Sequence, residues 1–430
     1  MEMTGQLTIG KRFALIFGAM FIFVVAFALH VEYLYYMSFA LAFVPAVAWV
    51  MGSRFLRGVV AERRMPTVVK AGECFPMRIA LTNTGATRKQ FLMVKDALPS
   101  GLLAEAPPEC WLADLVPGET AELTYPALAR RRGVYPFGWV DLHCTDPLGM
   151  FVFHREVEAP ASLVVHPRPV ALPPVRPPAA GMTVSPRARV RRLGEGTDFA
   201  GLREYVPGDD MRRVHWKNSA KRGKLTIVEY ESGEANSIAV VLDLHPRFHV
   251  GREEESTLEY GVTLAASIAA QCLRRGAEFS LVAEGAASHS LRSLSVPAEE
   301  TRVMDALARV RANARVSLPE ALLGCEPLLP RGCGIVVISP AVGAEVVAAA
   351  RRLTALGHGV LWVSLVAGSF LEDSEAVAAW EPAYADLALA LAGSRAEVRQ
   401  IRRGDSLAMR MGNAGWPGRP WSTLPLDRSL

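Results

Sequence analysis

The chain has 430 residues, 50% of them hydrophobic, and a formal net charge of +4. That length admits two or three domains with sizeable cores. So small a basic excess argues against a dedicated nucleic-acid binder, which concentrates positive charge on one face. The six cysteines are Cys74, Cys110, Cys144, Cys272, Cys325 and Cys333. They form no CxxC pair and sit mostly in apolar contexts, the pattern of buried free thiols in a reducing compartment.

In chain order, the first element is a transmembrane helical hairpin over 1–57. Residues 13–29 are apolar and uncharged, His30 and Glu32 interrupt them, and 33–53 is a second uncharged run. At 1.5 Å per residue each covers roughly 25–30 Å, about one hydrocarbon core. Pro45 predicts a kink in the second span, which a membrane tolerates. Lys11 and Arg12 precede the first span, and Arg54, Arg57, Arg63 and Arg64 follow the second. The positive-inside rule then puts both ends and the body in the cytoplasm, with two spans in the membrane. Two rival readings remain: a signal peptide cleaved near "AFALH", and a pair of buried core helices.

From 60 to 166 the pattern is that of strands. "TVVKAGECFPMRIALTNTG", "FLMVKDALP", "ETAELTYPALA", "VYPFGWVDLHC" and "SLVVHP" alternate with Pro and Gly turns. This predicts an Ig-like antiparallel β-sandwich, with "DPLGMF" at 146–151 as a tight turn between strands. Residues 167–190 are rich in proline and read as an extended, semi-rigid linker.

Residues 237–404 alternate strands and helices. "SIAVVLDLH" is a near-continuous apolar run, as a parallel strand buried on both faces requires. A helix follows from Ser256, which has capping-box spacing to Glu259. "AEFSLVAEG", "GIVVISP", "GVLWVSLV" and "AEVRQIR" supply further strands, and "SHSLRSL" a possible edge strand. The expectation is a doubly wound, Rossmann-type α/β domain. Ligands on such sheets bind at the carboxyl ends of strands, which directs attention to Asp243, His245 and Ser339. The tail, 405–430, reads as disordered, with a short docking motif as the alternative.

Chemistry motifs are scarce. "RGKLT" at 222–226 lacks the spacing of a phosphate-binding Walker loop, and there is no HExxH, GxSxG or zinc-ligand spacing. The strand end "DLHPR" invites comparison with the metal site of a von Willebrand factor A domain. There a DxSxS loop, a threonine and a later aspartate hold magnesium. Here Asp243 is in place, but His245 and Arg247 replace the serines and Ser339 stands on the later strand. An imidazole and a guanidinium suit a hard cation poorly, so the expectation is a degenerate site without Mg2+ or any other cofactor.

The segment 191–236 is different: "LREYVPGDDMRRVHWKNSAKRG" concentrates charge around a Pro-Gly corner. Val206 to Asp209 has type II turn chemistry, and Asp209 or Asp210 would cap a short helix starting near Met211. Arg212 and Arg213 fall within reach of those carboxylates, Trp216 offers an apolar anchor, and "GKLTIVEYE" runs on as a strand toward the α/β domain. Three readings follow. One is a network of Arg–carboxylate pairs that clasps the linker and presents a docking surface. A second is a hydrolase or nuclease with Asp209, Asp210 and His215 as its acids and base. The third is phosphate or nucleic-acid binding. The first is preferred, with a divalent-ion-dependent binder at Asp243 as a weaker alternative.

The stretch "GEGTDFAGLREYVPGDDMRRVHWKNSAKRGKLTIVEYE", Gly194 to Glu231, closely resembles the signature of the domain of unknown function 58 family. The likeness lies in Gly196, Phe199, Gly201, Leu202, Arg203, Glu204, Tyr205, Gly208, Asp209, Asp210, Arg212, Trp216, Lys217 and Ala220. A membrane hairpin, a β-rich domain with "RRGVYPF" and "DPLGMF", the signature, then a von Willebrand factor A-like unit is also that family's order. The resemblance implies a protein with no established enzymatic activity. It also implies a partner, a MoxR-type AAA+ ATPase, acting in assembly, chaperone-like or envelope and stress processes. On that basis the expected surface comprises Arg203, Glu204, Tyr205, Gly208, Asp209, Asp210, Arg212, His215, Trp216 and Lys217, the expected role is that of a membrane-anchored adaptor or scaffold, and no nucleic acid is expected as a partner.

Overall fold

The structure is a computed structural model. It describes residues 2–104, 109–146, 148–175, 177, 199–205, 214–230, 237–325, 329, 333–372 and 374–412. The chain divides into two compact units, Met1–His166 and Pro167–Leu430.

The first unit begins with α1 (Glu2–Leu29) and α2 (Glu32–Phe55), which pack as a hairpin. His30 turns the corner in the left-handed region, at φ 51°. Ser38 Oγ donates to Ala19 O across the pair at 2.9 Å, and Phe23 meets the Tyr35 ring edge-on at 5.6 Å. The outer faces expose Phe17, Phe21, Phe27, Tyr36, Phe39 and Phe43. By length and composition α2 is able to cross a membrane, whereas the apolar part of α1, Phe13–Leu29, is shorter. Spans over 13–29 and 33–53 were expected; α2 meets the length, and the apolar part of α1 is the shorter candidate.

Among the described residues nine strands follow: β1 (Val59–Arg64), β2 (Val68–Lys70), β3 (Cys74–Asn83), β4 (Lys89–Asp96), β5 (Leu102–Ala104), β6 (Glu109–Leu115), β7 (Thr120–Ala129), β8 (Gly133–Thr145) and β9 (Val152–His166). They form two sheets, ordered β1-β3-β7-β5 and β2-β9-β8-β4-β6. Inward side chains of both sheets make the core. Val59, Ile79 and Leu81 meet Leu92, Val94, Val140, Leu142 and Val157, while Phe75 and Met77 meet Phe137, Leu163 and Val165. Arg63 is buried with them and bonds Asp96, whose other oxygen accepts from Tyr125 at 2.5 Å. The β8–β9 turn is tied by Asp146, which accepts from the amides of Leu148, Met150 and Phe151 at 3.0, 2.7 and 2.5 Å. Cys74 is exposed, contrary to the expectation of buried thiols, because it opens β3 on the outward phase of its alternation. Cys144, Cys272, Cys325 and Cys333 are buried; the Cys110 side chain lies outside the described residues.

The second unit starts with 167–175, part of the segment read as a linker. It is stitched to α4 (Thr257–Arg274). Val170 N donates to Ser267 Oγ at 2.9 Å, Val175 N donates to Gln271 Oε1 at 2.9 Å, and Gln271 Nε2 donates to Leu172 O at 2.8 Å. Most of the remaining linker lies outside the described residues. The elements in order are β10 (Phe199–Glu204), α3 (Trp216–Arg222), β11 (Thr226–Tyr230), β12 (Ser237–Leu242), a small hairpin of β13 (Gly251–Arg252) and β14 (Glu255–Ser256), α4, β15 (Glu278–Val282), β16 (Leu291–Leu294), α5 (Glu300–Arg309), α6 (Leu318–Cys325), β17 (Gly334–Ser339), α7 (Ala344–Ala355), β18 (Gly359–Leu365), α8 (Ser374–Ala392), β19 (Glu397–Ile401) and α9 (Leu407–Gly412).

Six of these strands form one sheet, ordered β16-β15-β12-β17-β18-β19. All neighbours are parallel except β16, an antiparallel edge. Alternate residues of each strand enter opposite cores, so both faces are apolar. Val240, Ile338 and Val363 pack with α4 and α5, while Val241, Val337 and Trp362 pack with α6, α7 and α8. Ser256 caps α4, accepting from Glu259 N at 3.3 Å.

Candidate functional site

β10 and β11 pair antiparallel as a separate two-stranded ribbon, with Glu204 opposite Thr226 and Arg203 opposite Ile227. Thus "TIVEY" joins β10, not the six-stranded sheet, because β10 offers an antiparallel edge. Helix α3 lies between them and is locked to β11 by a small polar knot. His215 N donates to Thr226 O at 2.8 Å. Thr226 N donates to Ser219 Oγ at 2.8 Å, and Ser219 Oγ donates to His215 O at 3.1 Å. Ser219, Thr226, Val214 and Ile227 are all buried.

The helix starts at Trp216, five residues after Met211, where it was expected. Its N-cap is His215, whose Nδ1 accepts from Asn218 N at 3.1 Å. An imidazole nitrogen so engaged acts as an N-cap acceptor. Gly223 closes the helix at φ 67°, a left-handed position that glycine occupies without strain. Trp216 corrects another expectation. The residue is 63% exposed, so most of it is left unpacked by the described residues of the ribbon. Lys217, Lys221 and Lys224 follow it in sequence and are exposed. Glu204 pairs with Lys224 at 3.1 Å, both well exposed, and such a pair contributes little to stability. Tyr205 is half-buried and its N donates to Leu225 O at 2.9 Å. Gly208, Asp209, Asp210 and Arg212 lie outside the described residues, and Arg203 is placed by its backbone alone.

At the carboxyl ends of the central strands, Asp243 after β12 and Ser339 of β17 meet although 96 residues separate them. Ser339 Oγ donates to Asp243 Oδ2 at 2.6 Å, and His245 N donates to Asp243 Oδ1 at 3.0 Å. Ser339 Oγ also accepts from Ala341 N at 2.9 Å. Both side chains are buried. The imidazole of His245 is not used on the carboxylate; its Nδ1 accepts from Arg247 N at 3.3 Å to start a 3-10 turn. Arg247 stacks over Phe248 at 5.4 Å.

His249 and Thr257 complete the cluster and were not anticipated. His249 Nε2 donates to the Asp243 carbonyl at 2.9 Å, which leaves Nδ1 to accept from Thr257 Oγ1 at 3.0 Å. Burial holds that imidazole below its ordinary pKa, only partly offset by the Asp243 carbonyl and charge. The sequence hint was the spacing of His249 and Thr257 at either end of a two-strand hairpin that folds back on itself. These residues do not fit a hard octahedral cation. Both carboxylate oxygens are engaged by protein donors, and the positions that should supply hydroxyls carry an imidazole and a guanidinium.

The fold and site together define a multidomain chain of mixed α and β structure with an apolar helix near its N-terminus. Residues 201–368 match the family described as "Protein of unknown function DUF58", a span running from β10 to the turn after β18. The chain is also similar to "Uncharacterized protein YeaD" of Bacillus subtilis (strain 168), 25% identical over 262 residues, 57% of this chain. The match spans 61% of that relative's length. Among solved structures, trypsin-activated alpha-2-macroglobulin from Escherichia coli overlaps 36% of this chain and 9% of its own at TM-score 0.23 and 17% identity. The CARDB domain of PF1109 from Pyrococcus furiosus overlaps 25% of this chain and 94% of its own at TM-score 0.18 and 16% identity. Overlaps this slight establish no shared fold.

Proposed function

We propose that the chain is a membrane-anchored adaptor whose C-terminal unit docks a protein partner through the signature ribbon. The observation that carries this reading is Trp216, 63% exposed on a helix that a buried polar knot holds rigid. A large aromatic held in solvent by a fixed scaffold is the usual anchor of a binding hot spot. The exposed lysines that follow it in sequence favour a partner with an acidic rim. The partner is a MoxR-type AAA+ ATPase, the class that the signature's resemblance suggests. Glu204 and Tyr205 belong to the same surface in this reading, while Gly208, Asp209, Asp210 and Arg212 lie outside the described residues.

Anchoring rests on the exposed aromatic and aliphatic faces of α1 and α2, which water disfavours and lipid accepts. The charges agree: Arg54 and Arg57 flank one end, and Glu32 stands at the hairpin corner. The reading puts both ends of the hairpin, and the body, on the cytoplasmic side of a bacterial inner membrane. The strand order of the α/β sheet, with its third strand in sequence as an antiparallel edge, supports likeness to a von Willebrand factor A unit. In this protein the metal position of such a unit is replaced by the Asp243–Ser339 bond, so partner binding proceeds without magnesium. The test is capture of the ATPase by the detergent-solubilised full chain, with and without Trp216→Ala.

A further inference from the structure

We propose that the outer face of β8 and β9 binds zinc through Asp141, His143, His154 and Glu156. The strands pair in antiparallel register with Asp141 opposite Glu156 and His143 opposite His154. The period of a strand sends these four to one face, while Leu142, Cys144 and Val157 go to the core. "DLH" and "HRE" are therefore two halves of one square. His154 Nε2 lies 3.3 Å from Asp141 Oδ1. One donor atom from each of Asp141, His154 and Glu156 lies within 4.8 Å of the others. The His143 and His154 rings are 4.8 Å apart.

Zinc bonds nitrogen and oxygen at about 2.0–2.2 Å, so two of its tetrahedral ligands sit about 3.3–3.5 Å apart. The Asp141–His154 separation already meets that. Small rotations of Glu156 and His143 close the rest, and Glu156 is exposed and unhindered by the core. Two carboxylates balance a divalent charge. Two imidazoles select a borderline ion over magnesium or calcium, and the absence of sulfur from the square disfavours copper(I). The base is stiff, because Asp146 ties the turn that joins the two strands through three backbone amides. Opposing this, Lys95 stands opposite Asp141 on β4 and its charge disfavours a cation.

The experiment uses the untagged full chain in detergent, stripped with a chelator and titrated with zinc against a competing indicator dye. Metal content after dialysis is measured in parallel. The expected result is one zinc per chain. Affinity falls at least about ten-fold in His154→Ala and in Glu156→Gln, the low end of what losing even a group that only supports a ligand costs, and rises in Lys95→Gln. Circular dichroism verifies the fold of each variant; these side chains lie outside the core, so folding is retained. A wild-type chain that keeps no zinc, or a His154→Ala and Glu156→Gln double variant that keeps as much as wild type, overturns the assignment and leaves an Asp141–His154 ion pair only.

Discussion

Replacing Ser339 by alanine tests the closed state of the strand-end cluster. The hydroxyl donates to Asp243 Oδ2 at 2.6 Å and accepts from Ala341 N at 2.9 Å, with Ser339 and Asp243 both buried. A hydrogen bond to a charged group contributes about 1.5–3 kcal/mol, and a buried donor left without a partner costs about 1–3 kcal/mol. The two overlap, since local relaxation serves both. The expected loss is about 3 kcal/mol, on the order of a hundred-fold in the opening equilibrium. Hydrogen exchange of peptides covering Ser237–Leu242 and Gly334–Ser339, read by mass spectrometry in detergent, reports that equilibrium directly. Asp243→Asn keeps an acceptor for His245 N and should cost less. Exchange in Ser339→Ala within about two-fold of wild type would refute the reasoning, as would strong protection of the wild type by added magnesium.

Two further outcomes are expected. Burial depresses the folded pKa of His249, so the unfolded chain takes up a proton at a higher pH than the folded one. Its contribution is then whole above the ordinary imidazole value of about 6.5 and is lost as pH falls through the folded value. Exchange protection of β12 peptides should accordingly fall in wild type as pH drops below about 6.5, and fall less in His249→Asn. In the sandwich, Asp96→Ala removes the counter-charge of the buried Arg63, which keeps only the Ala159 and Trp139 carbonyls, and the acceptor of the Tyr125 hydroxyl. Loss of about 3–5 kcal/mol is expected, seen as a lower denaturant midpoint for that unit; an unchanged midpoint would mean that Arg63 finds water instead.

What was legible followed from local periodicity. The apolar run of β12 announced a strand buried on both faces, and Ser256 with Glu259 announced the start of α4. Both signals lie within a few residues. What was not legible depends on register or on distant pairing. Nothing local says that Thr226 will bond Ser219 and so fix α3 one turn later than its acidic neighbours suggested. Nothing local says that Gln271 will fasten the proline-rich stretch, nor that Trp216 will face solvent. Asp243 and Ser339 were placed correctly at strand ends, but their mutual bond required the parallel pairing of β12 with β17. The "DLH" and "HRE" pair was not singled out in the sequence. Its meaning appears only once Asp141 is known to face Glu156.

The central claim is best tested by the affinity of the detergent-solubilised full chain for a purified MoxR-type AAA+ ATPase, measured for wild type and Trp216→Ala. A hot-spot tryptophan contributes about 2 kcal/mol or more, so binding should weaken by at least about thirty-fold while the hydrogen-exchange pattern of β10 and β11 is retained. Equal affinity of the two chains contradicts the docking face, and no binding by wild type contradicts the partner.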